Sequence, residues 1–166
     1  MNKKLWLGVA ASCAMSLTAG AWAADAATAD EVAAKVKEAA AAVKASADVT
    51  LTEFDKKDGK WAWKDTYVFA LDCTNGVMKA HPAATVKGMK LTDLKDKATE
   101  KEFGSALCEA AKKTNGGWVE YMWTKPGAEG HHRKVAYVLG AGNYQVAAGV
   151  YDDKLTAKEL DAKIAK

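Results

Sequence analysis

The sequence predicts an α+β domain in which a long N-terminal helix packs on a five-stranded antiparallel sheet. Three observations carry that expectation. Residues 29–47, ADEVAAKVKEAAAAVKASA, set Val32, Val36, Ala39, Ala40, Val43 and Ala47 at helical spacing, with Lys35, Lys37, Glu38 and Lys44 on other faces. Residues 61–72, WAWKDTYVFALD, alternate Tyr67, Phe69 and Leu71 against Thr66, Val68 and Ala70, the period of a strand. Three further strand-like runs, 118–124, 133–139 and 144–151, are joined by the turn-rich KPGAEGHH and by GAGN. The order is helix, hairpin, helix, meander. This puts the long helix on one face of a single sheet and carries the middle segment back across the other.

The chain opens MNKKLWLGVAASCAMSLTAGAWAADA, with a basic pair, Lys3 and Lys4, an apolar run to about Ala19, and the small residues Ala21 and Ala23 around Trp22. That is the pattern of a secretory signal peptide, expected at 1–23, and it is too short for a stable anchor. Lipidation of Cys13, after Ala10-Ala11-Ser12, is the alternative. No later run approaches the length of a membrane span, so the mature form is expected in the periplasm or secreted. Removing Lys3 and Lys4 from 24 basic residues, against 21 acidic ones, leaves a net charge of +1. A nucleic-acid partner would need a clustered basic face, and none stands out.

In the long helix, Asp30 and Glu31 fall in the first turn, where the helix dipole favours negative charge. Its thin stripe of small residues suits close packing on a sheet or on a second copy, so a homodimer is one expectation. FDKKDGK ends this region. The strand through Asp72 meets a hairpin at Asn75-Gly76, returns along 77–80, and stops at Pro82, which lacks an N–H. Residues 83–98 connect to a second helix at about 100–113, with Phe103, Ala106, Leu107, Ala110 and Ala111 as its apolar face and Asn115-Gly116-Gly117 as its end. A short helix at 156–165 follows the meander. Cys73 and Cys108 are an even pair in an oxidising compartment and predict a disulfide; two buried thiols are the alternative.

Catalytic chemistry finds little footing. There is no G-x-S-x-G around Ser105, both mature cysteines suit a bridge, and the carboxylates of DLKDKATEKE read as a solvated face. Asp72, at a strand end before a turn, is expected to bond turn N–H groups. His131 and His132 are adjacent in a hairpin tip, where neighbouring side chains point apart, and zinc spacings are missing. Neither a metal nor a cofactor is expected. Binding is better supported, because Tyr67, Phe69, Trp118, Tyr121, Trp123 and Tyr137 crowd adjacent strands. Phenol hydroxyls and a histidine on a sheet face are costly when dry and unpaired, and a pocket around a small polar ligand satisfies several together. Lys134 and His81 are the candidate positive donors to a carboxylate.

The runs YVFALDCTNGVMKAHP, GMKLTDLKDKATEKEF, GGWVEYMWTKPG, KVAYV and GVY, in that order, resemble the single Cache domain family (sCache type 2), extracytoplasmic sensor modules of chemoreceptors and histidine kinases. The resemblance spans about residues 35–151. It implies a PAS-like fold with a pocket on the sheet face away from the long helix, no cofactor, and a small carboxylate ligand such as acetate, propionate, pyruvate or lactate. It also implies a ligand-binding set of Tyr67, His81, Tyr121, Trp123, Lys134 and Tyr137, with Met78 beside them. In that set Lys134 or His81 pairs the carboxylate, the tyrosines donate hydrogen bonds and Trp123 excludes water. Receptor members carry membrane anchors and an output domain. Here the expected organisation is a signal peptide (1–23), a Cache domain (24–151) and a helical tail (152–166), a free-standing module that presents its ligand to a membrane sensor or transporter. The rival expectation is a structural or interaction protein that keeps the fold without a ligand. An enzyme is not expected.

Overall fold

The computed structural model describes residues 25–164, so the expected signal peptide and Cys13 lie outside the described residues. Thr28 starts the first helix: its hydroxyl accepts the Glu31 N–H at 3.2 Å, and the Glu31 carboxylate accepts the Thr28 N–H at 2.9 Å. This reciprocal cap opens α1 (Ala29–Ala45), which buries Val32, Val36, Ala39, Ala40 and Val43. The helix expected to run to residue 47 breaks at Ser46, which leaves the helical region, and α2 (Ala47–Phe54) resumes. The break lets Leu51 and Phe54 join the same core as the α1 stripe.

The strand region expected over WAWKDTYVFALD is divided. Lys64, at φ 48°, makes a turn between β1 (Ala62–Trp63) and β2 (Thr66–Asp72). After β2, Asp72 accepts the Asn75 backbone N–H at 2.9 Å and its side-chain amide at 2.8 Å, and Gly76 takes φ 67°. The chain then returns as β3 (Val77–Ala80). β4 (Gly117–Trp123), β5 (His132–Ala141) and β6 (Tyr144–Tyr151) complete a sheet in which every pairing is antiparallel. β1 and β3 both pair with β2, followed by β6, β5 and β4. The expected five strands are present, and the two-residue β1 is a sixth.

β2 lies inside the sheet, and each of its residues is buried. Its alternation therefore feeds two cores. Val68 and Ala70 face α1 and α2 together with Val135, Tyr137, Val146 and Ala148. Tyr67, Phe69 and Leu71 face the opposite layer with Ala136, Val138 and Ala147. The middle segment builds that second layer through Leu91, Leu94, Phe103 and Leu107. It begins by lining the outer edge of β3, where the Gly88 N–H donates to Met78 O and the Met78 N–H to Met89 O, both at 2.8 Å.

The second helix begins later than its sequence pattern suggests, as α3 (Gly104–Ala111). Residues 95–102 form a tight loop instead. Asp96 Oδ1 accepts the Ala98 and Thr99 N–H groups at 2.9 Å, and Glu100 takes φ 57°. Gly104 follows because a Cβ there would sit 2.4 Å from the Leu91 carbonyl oxygen. Ala106, assigned to the apolar face, is exposed. Most of DLKDKATEKE is exposed, as its charge pattern implies, but Asp96 turns inward: its Oδ2 accepts the Met122 N–H at 2.7 Å on the outer edge of β4. Asp161, on α4 (Ala157–Ile164), accepts the Trp118 N–H at 2.8 Å on the same edge. Two carboxylates thus cap N–H groups that would otherwise offer a template for another strand. Leu160 of α4 is buried in the α1-side core, so the C-terminal helix is packed rather than trailing. Cys73 and Cys108 form a disulfide with their Cα atoms 5.8 Å apart, tying α3 to the end of β2.

Candidate functional site

The layer opposite α1 encloses a small cavity. Tyr67 and Phe69 of β2, Met78 of β3, His81 just beyond it, Tyr121 and Trp123 of β4, and Lys134 of β5 line it, and Leu94 and Phe103 close it from the middle segment. Strand alternation explains why residues from four strands converge, since every second side chain on each strand faces this layer. Its free volume is about 10 Å³, the room of roughly one water. Beside it lies an open cleft of about 480 Å³ that shares Tyr67 and His81 and is also lined by Lys57, Trp63, Lys64, Thr124, Lys125 and Pro126.

Lys134 is the central side chain. It is fully buried, and its Nζ has no hydrogen-bond partner among the described residues. The nitrogen lies 4.2 Å from the ring centre of Tyr67, 5.1 Å from Phe69 and 5.2 Å from Tyr151, a cage of π faces that favours a cation. Burial acts the other way and lowers its pKa from 10.5 to about 7, with the nearby Asp65 carboxylate partly offsetting that fall. Asp65 itself is spent elsewhere, accepting the Ala27 N–H at 2.8 Å and pairing with Lys125 at 3.0 Å. Room for the lysine stem comes from β6. A Cβ on Gly149 would lie 2.4 Å from Lys134 Cε and 2.6 Å from Cγ, so a side chain and this lysine cannot share the space.

The surrounding polar groups are neutral. Burial pushes Tyr67 up to about 12, and its hydroxyl accepts the Trp123 indole N–H at 3.2 Å. Burial holds Tyr121 and Tyr151 well above the ordinary phenol range, and Tyr151 donates to Thr124 O at 2.6 Å. His81 falls to about 3, first through burial and then through the charge of Lys134. Its Nδ1 accepts the Ala83 N–H at 2.9 Å, which leaves the ring proton on Nε2. The expectation of a positively charged His81 is therefore corrected: it is a neutral donor. Phe103 stacks on Tyr121 at 3.8 Å with planes 4° apart, sealing the side beneath the 95–102 loop.

Six of the seven expected site residues, Tyr67, Met78, His81, Tyr121, Trp123 and Lys134, line this one cavity. Tyr137 does not. It is three residues from Lys134 on a regular strand, so it projects from the other face, packs on Trp118 at 5.1 Å and donates to Asn115 O at 2.5 Å. Sequence reasoning missed Phe69, Leu94, Phe103, Tyr151 and Gly149. Strand parity was available for Phe69, which shares its face with Tyr67. Tyr151 pairs directly with Lys134 across the β5–β6 register. No periodic signal marks Leu94, and Phe103, assigned to the apolar face of the second helix, reaches the cavity from the residue that precedes α3.

A sheet with a long helix on one face and a small pocket under a covering segment on the other is the arrangement of a PAS-like fold. A family model described as Cache domain, of the dCache_2 type, matches residues 31–165. The chain belongs to the Cache domain family, extracytoplasmic modules that bind small ligands. Among solved structures, a methyl-accepting chemotaxis protein from Vibrio parahaemolyticus RIMD 2210633 is 21% identical, with a TM-score of 0.60 over 75% of this chain and 88% of that one. A Cache chemosensory domain, described with the structural basis of its carboxylic acid recognition, is 23% identical at TM-score 0.54, over 73% and 86% of the two chains. The periplasmic sensor domain of a chemotaxis protein is 23% identical at TM-score 0.55, over 73% and 88%. At such identities the likeness is one of fold. No curated protein matches the chain.

Proposed function

We propose that this chain is an extracytoplasmic binding module for a small monocarboxylate of two to four carbons, whose ligand state is read by a membrane sensor or transporter. One observation carries the reading: the Lys134 ammonium is fully buried with no hydrogen-bond partner among the described residues. A protein pays for such a group in stability, and a carboxylate beside it restores the missing partner. His81 Nε2–H and the Tyr67 hydroxyl are the neutral donors nearest to hand, and Trp123 shields the pair from water. The neighbour known for carboxylic acid recognition supports the same chemistry. With about 10 Å³ free, even acetate requires lining side chains to retreat, and the cleft that shares Tyr67 and His81 is the natural way in. The site offers no paired acid and base facing a nucleophile, so binding rather than turnover is its chemistry.

The test is a thermal-shift screen of acetate, propionate, pyruvate and lactate on the parent and on Lys134→Met. A melting temperature that rises with at least one acid in the parent, and with none in the variant, supports the reading. No response to any of them in the parent sinks it. The closed cavity favours a second reading, a Cache-fold interaction protein without a ligand. Sedimentation showing a constant dimer, indifferent to all four acids, is its signature. The 1–23 signal peptide and periplasmic or secreted placement belong to the proposal, and N-terminal sequencing of the exported protein checks them.

A further inference from the structure

We propose that the Lys134 cavity takes up a carboxylate together with one proton, so that it senses the undissociated weak acid rather than the anion; this rests on the carboxylate reading of the same site. Above the pH at which the empty lysine gives up its proton, the geometry leaves two charge-balanced occupancies. An empty cavity holding an ammonium has an uncompensated charge, because Asp65 is bound to Lys125 at 3.0 Å and to the Ala27 N–H at 2.8 Å and contributes no partner inside. A carboxylate beside a neutral amine is equally uncompensated. The empty amine and the closed ion pair are the balanced states. Passing from one to the other is Lys–NH2 + H⁺ + RCOO⁻ → Lys–NH3⁺···⁻OOCR, in which the amine lone pair takes the proton and no other bond changes.

The groups facing Lys134 leave it to carry that proton. From β2 it meets Tyr67, from β4 Tyr121, from β6 Tyr151, and from the end of β3 His81; the Asp65–Lys125 pair lies further out. The three phenols are held above the ordinary range by burial, and His81 is held far below it, so all four stay neutral around neutral pH. Lys134, at about 7, changes its charge there. Above that pH each ligand brings its proton from solution. The apparent affinity for the anion then falls about tenfold per pH unit, while the affinity reckoned for the undissociated acid stays level.

Isothermal titration of the intact chain with sodium acetate and sodium propionate tests this, at about pH 6, 7.5 and 8.5, in phosphate and in Tris. The expected result at the highest pH is uptake of about one proton per ligand, read from the slope of heat against buffer ionisation enthalpy, falling toward zero at about pH 6. Lys134→Arg, which keeps its charge at all these pH values, is expected to bind without proton uptake and without the alkaline loss of affinity. Binding by the parent with no proton uptake at high pH and a flat affinity overturns the inference while leaving the carboxylate reading intact. No binding of acetate, propionate, pyruvate or lactate at any pH overturns both.

Discussion

Replacing Lys134 with methionine removes the buried ammonium while keeping most of its aliphatic stem, and the structure sets the size of the effect. The lysine falls from 10.5 to about 7 on folding because it is fully buried. At about 1.4 kcal/mol per pH unit, that difference corresponds to about 5 kcal/mol of folding free energy lost when lysine is protonated in both states. The folded state binds the proton less tightly than the unfolded chain. The penalty is therefore full below about pH 7, shrinks as pH rises, and is gone above about 10.5, where the unfolded lysine also loses its proton. Methionine leaves a small void worth about 1 kcal/mol. Lys134→Met is thus expected to be more stable than the parent by several kcal/mol near pH 6, and equal or slightly less stable above about pH 10.5. Urea unfolding of both proteins at the two pH values measures this. The other groups are shared, and those that do not feel Lys134 cancel in the difference; His81, lowered in part by the Lys134 charge, cancels only in part. If the two proteins differ by the same amount at both pH values, the penalty does not reside in the charge, and the reading of Lys134 as a desolvated, partnerless cation fails.

Gly149→Ala places a methyl 2.4 Å from Lys134 Cε, so it is expected to cost about 1–3 kcal/mol and to flatten the pH dependence just described; denaturation across the same pH range checks both. Opening the Cys73–Cys108 bridge with a paired Cys73→Ser, Cys108→Ser variant is expected to cost about 4 kcal/mol, from the entropy of freeing a loop with a sequence separation of 35, and chemical denaturation without reductant measures it. Asp96→Ala removes the acceptor for the Met122, Thr99 and Ala98 N–H groups, with an expected loss of about 1–3 kcal/mol and faster protease cleavage within residues 95–102. Unchanged cleavage rates would show that the loop stands without its aspartate.

The elements legible in the sequence were those whose signal is periodic and local. The α1 stripe of Val32, Val36, Ala39, Ala40 and Val43, the alternation of Tyr67, Phe69 and Leu71, and the Asn75-Gly76 turn all became the structure they imply. Boundaries failed where a local backbone departure or a side-chain bond broke the pattern. Ser46 interrupts the first helix. Lys64 turns the chain within a continuous aromatic run, and Asp96 draws the start of the expected second helix into a loop bonded to β4. The Tyr137 assignment failed although the sequence itself held the answer, since three residues along a strand from Lys134 is the opposite face.

The sequence by itself determined which residues could share a face and which family the chain resembles, because hydrophobic period and motif order are written along the chain. It placed six of the seven candidate side chains on surfaces that meet. Only the tertiary structure decided what those side chains are. Registers across β2, β6, β5 and β4 set Lys134 opposite Tyr151 and over Tyr67, with Gly149 making room for its stem. The packing also spends Asp65 on Ala27 and Lys125, leaving the lysine nitrogen without a partner. Charge state and pairing depend on how deeply a group is buried and on neighbours distant in sequence, and those are properties that the folded chain alone possesses.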